Sequence, residues 1–376
     1  MSLGATHVQE AKYAQLLCER FNLERIRFCN SGTEANLHAL AAVKKFTGRR
    51  KVVTFKGGYH GSVLAFGATQ PPTKEKVFRL GPAENNVDLP DWIVLQYNDV
   101  AGVRELLRSS QKDDIAAVLV EPMQGSGGAI PAKEEFLYAI QEECAKVRLL
   151  VVLRSLTSSS TNIDISQAKI MFVLDEVMTS RTGAGGIKSL FPSDRPLRPD
   201  ITTLGKYLGG GMPIGAFGGR EDVMAVYDPR LAGAMFHSGT FQNNTLMLHM
   251  GYTAISQVYT PVKAIEHTNR GDTLRKKLQT ATKGSKLFVS GKGTLMFVHI
   301  SERWGMSDGG FTCKEEGGDE EWDLKTLFWM HMLEEGFWVQ RRGSIALILD
   351  TPQEVLDGFV AAVERFIERY ATFARL

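Results

Sequence analysis

Cysteine is scarce in this 376-residue chain: Cys18, Cys29, Cys144 and Cys313 stand far apart, with no CxxC and no paired histidines. That spacing argues against a zinc site or a disulfide scaffold and suits a reducing compartment. Charge of one sign is missing too. Lys and Arg number 44 against 42 Asp and Glu, and the resulting +2 gives no reason to invoke nucleic acid or an acidic membrane surface. No apolar run approaches the roughly 20 residues of a membrane helix, and no charged-then-apolar leader opens the sequence. Neither Gly-Lys-Ser/Thr nor a GxGxxG after a first strand is present, which excludes the usual nucleotide cradles. Repeats and low-complexity tracts are absent. Asn243-Asn-Thr245 fits a glycosylation sequon, but without a leader it reads as chance. The expected compartment is the cytosol.

What the chain does contain is an alternation of short apolar runs and helical stretches. Thr6 with Gln9 suggests a capping box ahead of a helix whose apolar face carries Val8, Ala11, Tyr13, Leu16, Leu17 and Phe21. The runs Lys51–Phe55, Ile115–Val120, Ile170–Leu174 and Ile214–Phe217 are mostly apolar throughout, as strands covered on both faces are. Strands alternating with helices predict an α/β domain with a mainly parallel sheet. Beyond about residue 255 the pattern changes. Leu287–Val289, Gly293–Ile300 and Ile345–Leu349 read as strands and Pro352–Tyr370 as a closing amphipathic helix. We expect a large domain over 1–254 and a smaller α+β domain over 255–376, with Gly305–Asp323 a solvated excursion.

Four features fit the rule that reactive groups gather at the carboxyl ends of strands in open α/β sheets. Asp175 closes the apolar run Ile170–Leu174. Such an acid is either a loop residue or a functional carboxylate, and a carboxylate beside a pyridine nitrogen keeps that nitrogen protonated. Lys206 follows Asp200-Ile-Thr-Thr-Leu-Gly205 and precedes Gly209-Gly-Gly211. Most lysines are solvated surface groups, but Schiff-base chemistry needs an amine in a setting of this kind. Asn30-Ser-Gly-Thr-Glu-Ala-Asn36 opens a helix over 34–46. It reads as a cap or as a phosphate cradle, since free N–H groups and hydroxyls converge there. Gly57-Gly-Tyr-His-Gly61 follows a strand, with Tyr59 either half-buried in a turn or able to stack on a flat ring. His60 is equally a structural hydrogen-bonding group.

These motifs, with Val120-Glu-Pro-Met-Gln-Gly125, Leu174-Asp-Glu-Val-Met-Thr179, Thr203-Leu-Gly-Lys-Tyr-Leu-Gly-Gly-Gly-Met212 and His237-Ser-Gly-Thr-Phe241, give the chain its resemblance. It resembles class III, fold type I aminotransferases that use pyridoxal 5'-phosphate (PLP). Among these it is similar to glutamate semialdehyde aminomutases and especially to β-phenylalanine aminotransferases. The resemblance runs over nearly the whole chain and is weakest from about 305 to 325. It implies that Ser31, Gly32 and Thr33 hold the phosphate and that Tyr59 and Val177 cover the two faces of the ring. It places Asp175 on the ring nitrogen, Lys206 in the internal Schiff base, and Glu121 near the cofactor. Thr240 would reach the phosphate of a neighbouring subunit, making a homodimer the expected working unit. The implied chemistry is a ping-pong exchange between an amino acid donor and a keto acid. Arg342, in Arg341-Arg-Gly343, aligns with an arginine that grips the substrate carboxylate in the β-amino-acid enzymes; the bland alternative is two solvated arginines ahead of a strand.

The chain departs from that family twice. Relatives carry a long segment before the Ser-Gly-Thr motif, so that Met1 aligns with their interior, and an internal start or a cropped sequence is expected. Relatives also pass directly from the helix ending near Val147 to the strand of the aspartate. Here the strand-like runs Leu149–Leu153 and Met171–Leu174 flank a hydroxyl-rich stretch around Thr157–Thr161, and we expect residues 149–169 to be an insert translated from a retained intron. An aminomutase with the same cofactor, or an inactive or truncated protein of this fold, are the alternative readings.

Overall fold

The computed structural model describes residues 5–64, 89–155, 169–302, 304–307, 310–313 and 320–376. The hydroxyl-rich stretch around Thr157–Thr161, and much of the excursion expected at 305–323, lie outside the described residues. The chain divides into two compact units. The described residues of the first are 5–64, 89–122, 134–155 and 169–263; the second holds 123–133 and the described residues from 264 onward. Among the described residues no helix is long and apolar enough to cross a membrane.

The first unit is built on a seven-stranded sheet. Its strands are β1 (Arg25–Cys29), β2 (Lys51–Phe55), β3 (Trp92–Leu95), β4 (Ile115–Val120), β7 (Met171–Asp175), β8 (Ile201–Gly205) and β9 (Gly215–Gly219), in the order β1-β9-β8-β7-β4-β2-β3. Pairing is parallel from β3 through β8, whereas β9 runs antiparallel to both β8 and β1. Every residue of β4, β7, β8 and β9 is buried, as apolar runs with helices on both faces should be. The fold is therefore α/β with a mostly parallel sheet. β1 escapes the sequence pattern because Arg25 and Arg27 interrupt it, and β3, though apolar, is only four residues long and partly exposed.

The opening helix, α1 (Val8–Phe21), buries Tyr13, Leu17 and Phe21 at four-residue spacing. Its cap is not Thr6. His7 fills that position, its Nδ1 accepting from the Gln9 N–H at 3.1 Å. The second helix, α2 (Gly32–Thr47), starts at an N-cap Ser31 and ends at Gly48 in the left-handed region (φ 68°). Ala35, Ala39 and Ala42 lie on its buried face, and their short side chains let the helix sit close over β8 and β9.

One expected strand is a helix. Leu149–Leu153 belongs to the last turns of the helix Glu134–Ser155. Its sequence contains no Gly or Pro, so nothing stops propagation once the helix is nucleated. A short apolar run has no period of its own by which strand and buried helix can be told apart.

The second unit carries the two-residue strands β5 (Met123–Gln124) and β6 (Ile130–Pro131), and an antiparallel sheet of β10 (Leu287–Lys292), β11 (Leu295–Ile300) and β14 (Ser344–Ala346). β12 (Trp304–Ser307) and β13 (Gly310–Cys313) pair as a separate hairpin inside the expected excursion. The expected strand over 345–349 is shorter than its apolar run, and the closing helix spans Gln353–Arg369.

Beneath β11 lies a buried ion pair. Lys325, 1% exposed, has its Nζ on Glu320 and over the ring of Phe297 at 4.7 Å. Glu320 also meets His299 Nδ1 at 2.9 Å. Replacing Lys325 with Met would leave Glu320 without its cation in a low-dielectric site, which costs roughly 3–5 kcal/mol when one partner of a buried pair is removed. Lys325→Met should lower the melting temperature by several degrees, and adding Glu320→Gln should recover part of the loss. An unchanged melt in Lys325→Met would contradict this.

Candidate active site

Five segments of the first unit meet at the carboxyl ends of its parallel strands. β7 ends on Asp175, with Thr203 of β8 opposite it in the register, and β8 ends at Gly205 immediately before Lys206. β9 returns antiparallel, so that Gly215 pairs with Gly205 and also with Cys29 at the end of β1. The chain leaving β1 therefore delivers Ser31 and the N-terminus of α2 to the same rim. β2 leads into Gly57–Gly61, and β4 leads into Glu121.

Asp175 is 4% exposed and bound from both sides. Asn36 Nδ2 donates to its Oδ2 at 2.8 Å, His60 Nδ1 lies 2.8 Å from the same oxygen, and the Val177 N–H donates to Oδ1 at 2.9 Å. Asn36 is itself fixed: Thr203 donates to its Oδ1 at 2.8 Å, and its Nδ2 also reaches the His60 carbonyl at 3.0 Å. Of this cage, His60 reads from the sequence as a hydrogen-bonding group, whereas Asn36 and Thr203 have no role there. The signals for the cage were a polar residue closing the Asn30–Asn36 motif, the histidine beside Tyr59, and a threonine in an otherwise buried strand.

Ser31 caps α2, its Oγ accepting from the Glu34 N–H at 3.2 Å, while Glu34 reaches back to the Asn30 N–H at 2.9 Å. The N–H groups of Gly32 and Thr33 belong to the first turn, where a helix offers no carbonyl to accept them. That is the usual arrangement for holding an anion. Close packing confines this turn. A Cβ on Gly32 would stand 2.6 Å from Val177 Cγ1, so glycine alone lets Val177 approach. Tyr59 is 40% exposed, and its N–H donates to the buried Glu121 carboxylate at 3.1 Å. Glu121 thus orients the Tyr59 loop.

Lys206 is exposed at the rim and sits in the left-handed region with φ 58°. For a side chain other than glycine this conformation is uncommon and costs energy, and it concentrates at functional positions. The next acid along, Glu176, turns away from the rim. It is wholly buried and accepts from Thr179 Oγ1 and the N–H groups of Ile187 and Lys188; burial raises its pKa and lowers that of Lys188 to about 8.

Two further expected site residues lie in other segments of the chain. Thr240 lies in an exposed loop. Arg342 belongs to the second unit, where its Nε donates to Gln340 Oε1 at 2.8 Å in the turn closed by Gly343. A serine–histidine–glutamate chain also occurs in the second unit, with Ser290 Oγ 2.9 Å from His299 Nε2 and Glu320 on Nδ1. Ser290 is 1% exposed and its hydroxyl is engaged by the Gly128 carbonyl, so this relay is structural.

The rim residues fit pyridoxal phosphate. A carboxylate offers about four acceptor positions, so the three donors on Asp175 leave room for roughly one more, which a protonated ring nitrogen would fill. The free N–H groups at the α2 N-terminus suit a phosphate, and Lys206 is an exposed amine.

The sequence matches the family described as aminotransferase class-III over residues 1–154 and 164–352. The chain is 43% identical over 378 residues to an uncharacterized aminotransferase of Schizosaccharomyces pombe, covering 100% of the chain and 76% of that protein. A crystal structure of a β-phenylalanine aminotransferase from Variovorax paradoxus superposes with a TM-score of 0.83 at 38% identity, over 100% of this chain and 77% of that one. A transaminase solved with PLP bound gives a TM-score of 0.77 at 26% identity, over 97% and 78%.

Proposed function

We propose that this chain, which belongs to the class-III aminotransferase family, uses the rim of its sheet to move an amino group from an amino acid, a β-amino acid in particular, to a keto acid. The family makes it a PLP-dependent transaminase; substrate and residue roles are our reading. The observation that carries it is the caged Asp175 on the strand beside the one that leads into Lys206.

Bound at this rim, pyridoxal phosphate supplies an electron sink for the charge left when a proton leaves the carbon next to the amino nitrogen. The chain's own residues do the rest. Asp175 holds the proton on the ring nitrogen and balances its charge, with Asn36 and His60 fixing the carboxylate so that no reorganisation is needed during reaction. Ser31, Gly32 and Thr33 hold the phosphate, and Tyr59 and Val177 enclose the ring. Lys206 Nζ anchors the cofactor between turnovers. As a free amine, Lys206 Nζ would take the proton from the substrate carbon and return it.

Thr240 completes the phosphate site of a neighbouring subunit, so a homodimer is the working form. In support, Phe236 and Phe241 beside it are 90% and 62% exposed, as expected of side chains that a second copy covers.

Arg342 grips the donor carboxylate. Its Nε is engaged by Gln340, leaving the outer face of the guanidinium for two-point recognition. Arg342→Gln should raise KM for a carboxylate-bearing donor by about tenfold to a hundredfold, the loss of one charge-assisted pair. Turnover of an amine without a carboxylate should change little. Equal losses on both donors would remove Arg342 from the substrate site. Assay with β- and α-amino acids and a keto acid acceptor tests the function itself. Release of a keto product supports a transaminase, whereas isomerisation of the donor without it would mark an aminomutase.

A further inference from the structure

We propose that Arg27, His237 and Gln242 form a clamp that shapes the 237–242 loop and so positions Thr240; the proposal rests on the phosphate role given to Thr240 above. The loop is exposed at its tip, with Phe236, Thr240 and Phe241 all turned to solvent. His237 and Gln242 are partly buried, and His237 stands edge-on to His38 at 4.2 Å between ring centroids.

Arg27 reaches His237 from β1, its Nε donating to His237 Nδ1 at 2.9 Å. Arg27 is placed by the ring of Tyr227, 5.3 Å from its guanidinium carbon. With Nδ1 accepting, the ring proton must sit on Nε2, which lies 2.9 Å from the terminal amide of Gln242. The amide therefore turns its oxygen to the ring. Burial, with His38 and Arg27 beside it, holds the His237 pKa down to about 4, so the ring stays neutral and this single tautomer persists near neutral pH. Gln242 also closes a turn, its N–H donating to the Gly239 carbonyl at 3.0 Å. Thr240 and Phe241 are the two central residues of that turn. The clamp thus ties its far end to the sheet, while Asn243 anchors the next residue to Glu10 at 2.8 Å. None of the three clamp residues needs to touch the cofactor; their effect passes through Thr240.

The test uses the PLP-loaded protein and reads the rate at which PLP is lost on dilution into a PLP-trapping apoenzyme. Thr240→Ala should speed loss by about tenfold, the worth of one hydrogen bond to a charged group. His237→Leu and Gln242→Met should speed it by a similar factor, with Gln242→Glu, which keeps an acceptor oxygen for Nε2–H, near wild type. The double variant Thr240→Ala with His237→Leu should lose PLP no more than about twofold faster than Thr240→Ala alone, because both act on one contact. Gln242 is on the exposed loop, so Gln242→Met keeps the test valid if His237→Leu folds poorly. Wild-type retention in Gln242→Met alongside rapid loss in Thr240→Ala would overturn the clamp, as would additive losses in the double variant. Wild-type retention in Thr240→Ala would overturn the phosphate role of Thr240, and the clamp's route with it.

Discussion

Lys206→Ala should abolish transamination, lowering turnover on the order of 10⁴-fold or more, as removal of an essential covalent residue does. It should do so without unfolding the protein. Lys206 is exposed, packs into no core, and holds a left-handed backbone that costs about 1–2 kcal/mol for an L-residue. Glycine carries no such penalty. Lys206→Gly is therefore expected to be as inactive as Lys206→Ala and to melt at least as high. Paired thermal melts and product assays on the three proteins check this. Retention of more than a hundredth of wild-type turnover by Lys206→Ala would remove Lys206 from the chemistry.

Asp175→Asn should lower turnover by about 10²–10⁴-fold, the range seen when a buried carboxylate that orients and balances a reacting ring becomes an amide. The substitution keeps size and shape but not the hydrogen-bond pattern. Asn36 requires an acceptor at one oxygen of residue 175 and the Val177 N–H requires one at the other. An amide nitrogen at either place meets a donor. That mismatch adds roughly 1–3 kcal/mol of destabilisation. The activity loss should persist at saturating PLP, since lost charge rather than lost occupancy causes it. Recovery of full turnover on adding excess PLP would instead assign Asp175 to binding alone.

Much of this arrangement is legible in the amino-acid sequence. β2, β4, β7 and β9 stand out as apolar runs, Asp175 follows from its place after one of them, and Lys206 from the glycine-rich stretch after it. Short-range motifs carried Ser31, Gly32, Thr33 and Tyr59 to the same rim. What sequence could not show was the cage around Asp175. Asn36, His60 and Thr203 come from three separate elements, with 139 and 115 residues separating the first two from the acid they bind. No spacing rule reaches that far. Boundaries failed for local reasons. His7 took the cap that Thr6 was expected to fill, and Leu149–Leu153 stayed helical because no breaker precedes it. Arg342 was readable as an arginine before a strand, and its partner Gln340 only from the turn that brings the two side chains together.

The most direct test is the visible absorption spectrum of the purified chain incubated with PLP, recorded before and after an amino donor and again after a keto acid. The account predicts a band from lysine-bound cofactor that Lys206→Ala lacks, that fades with donor, and that returns with the keto acid. A wild-type chain that shows no such band, or a band that no amino donor changes, would contradict it.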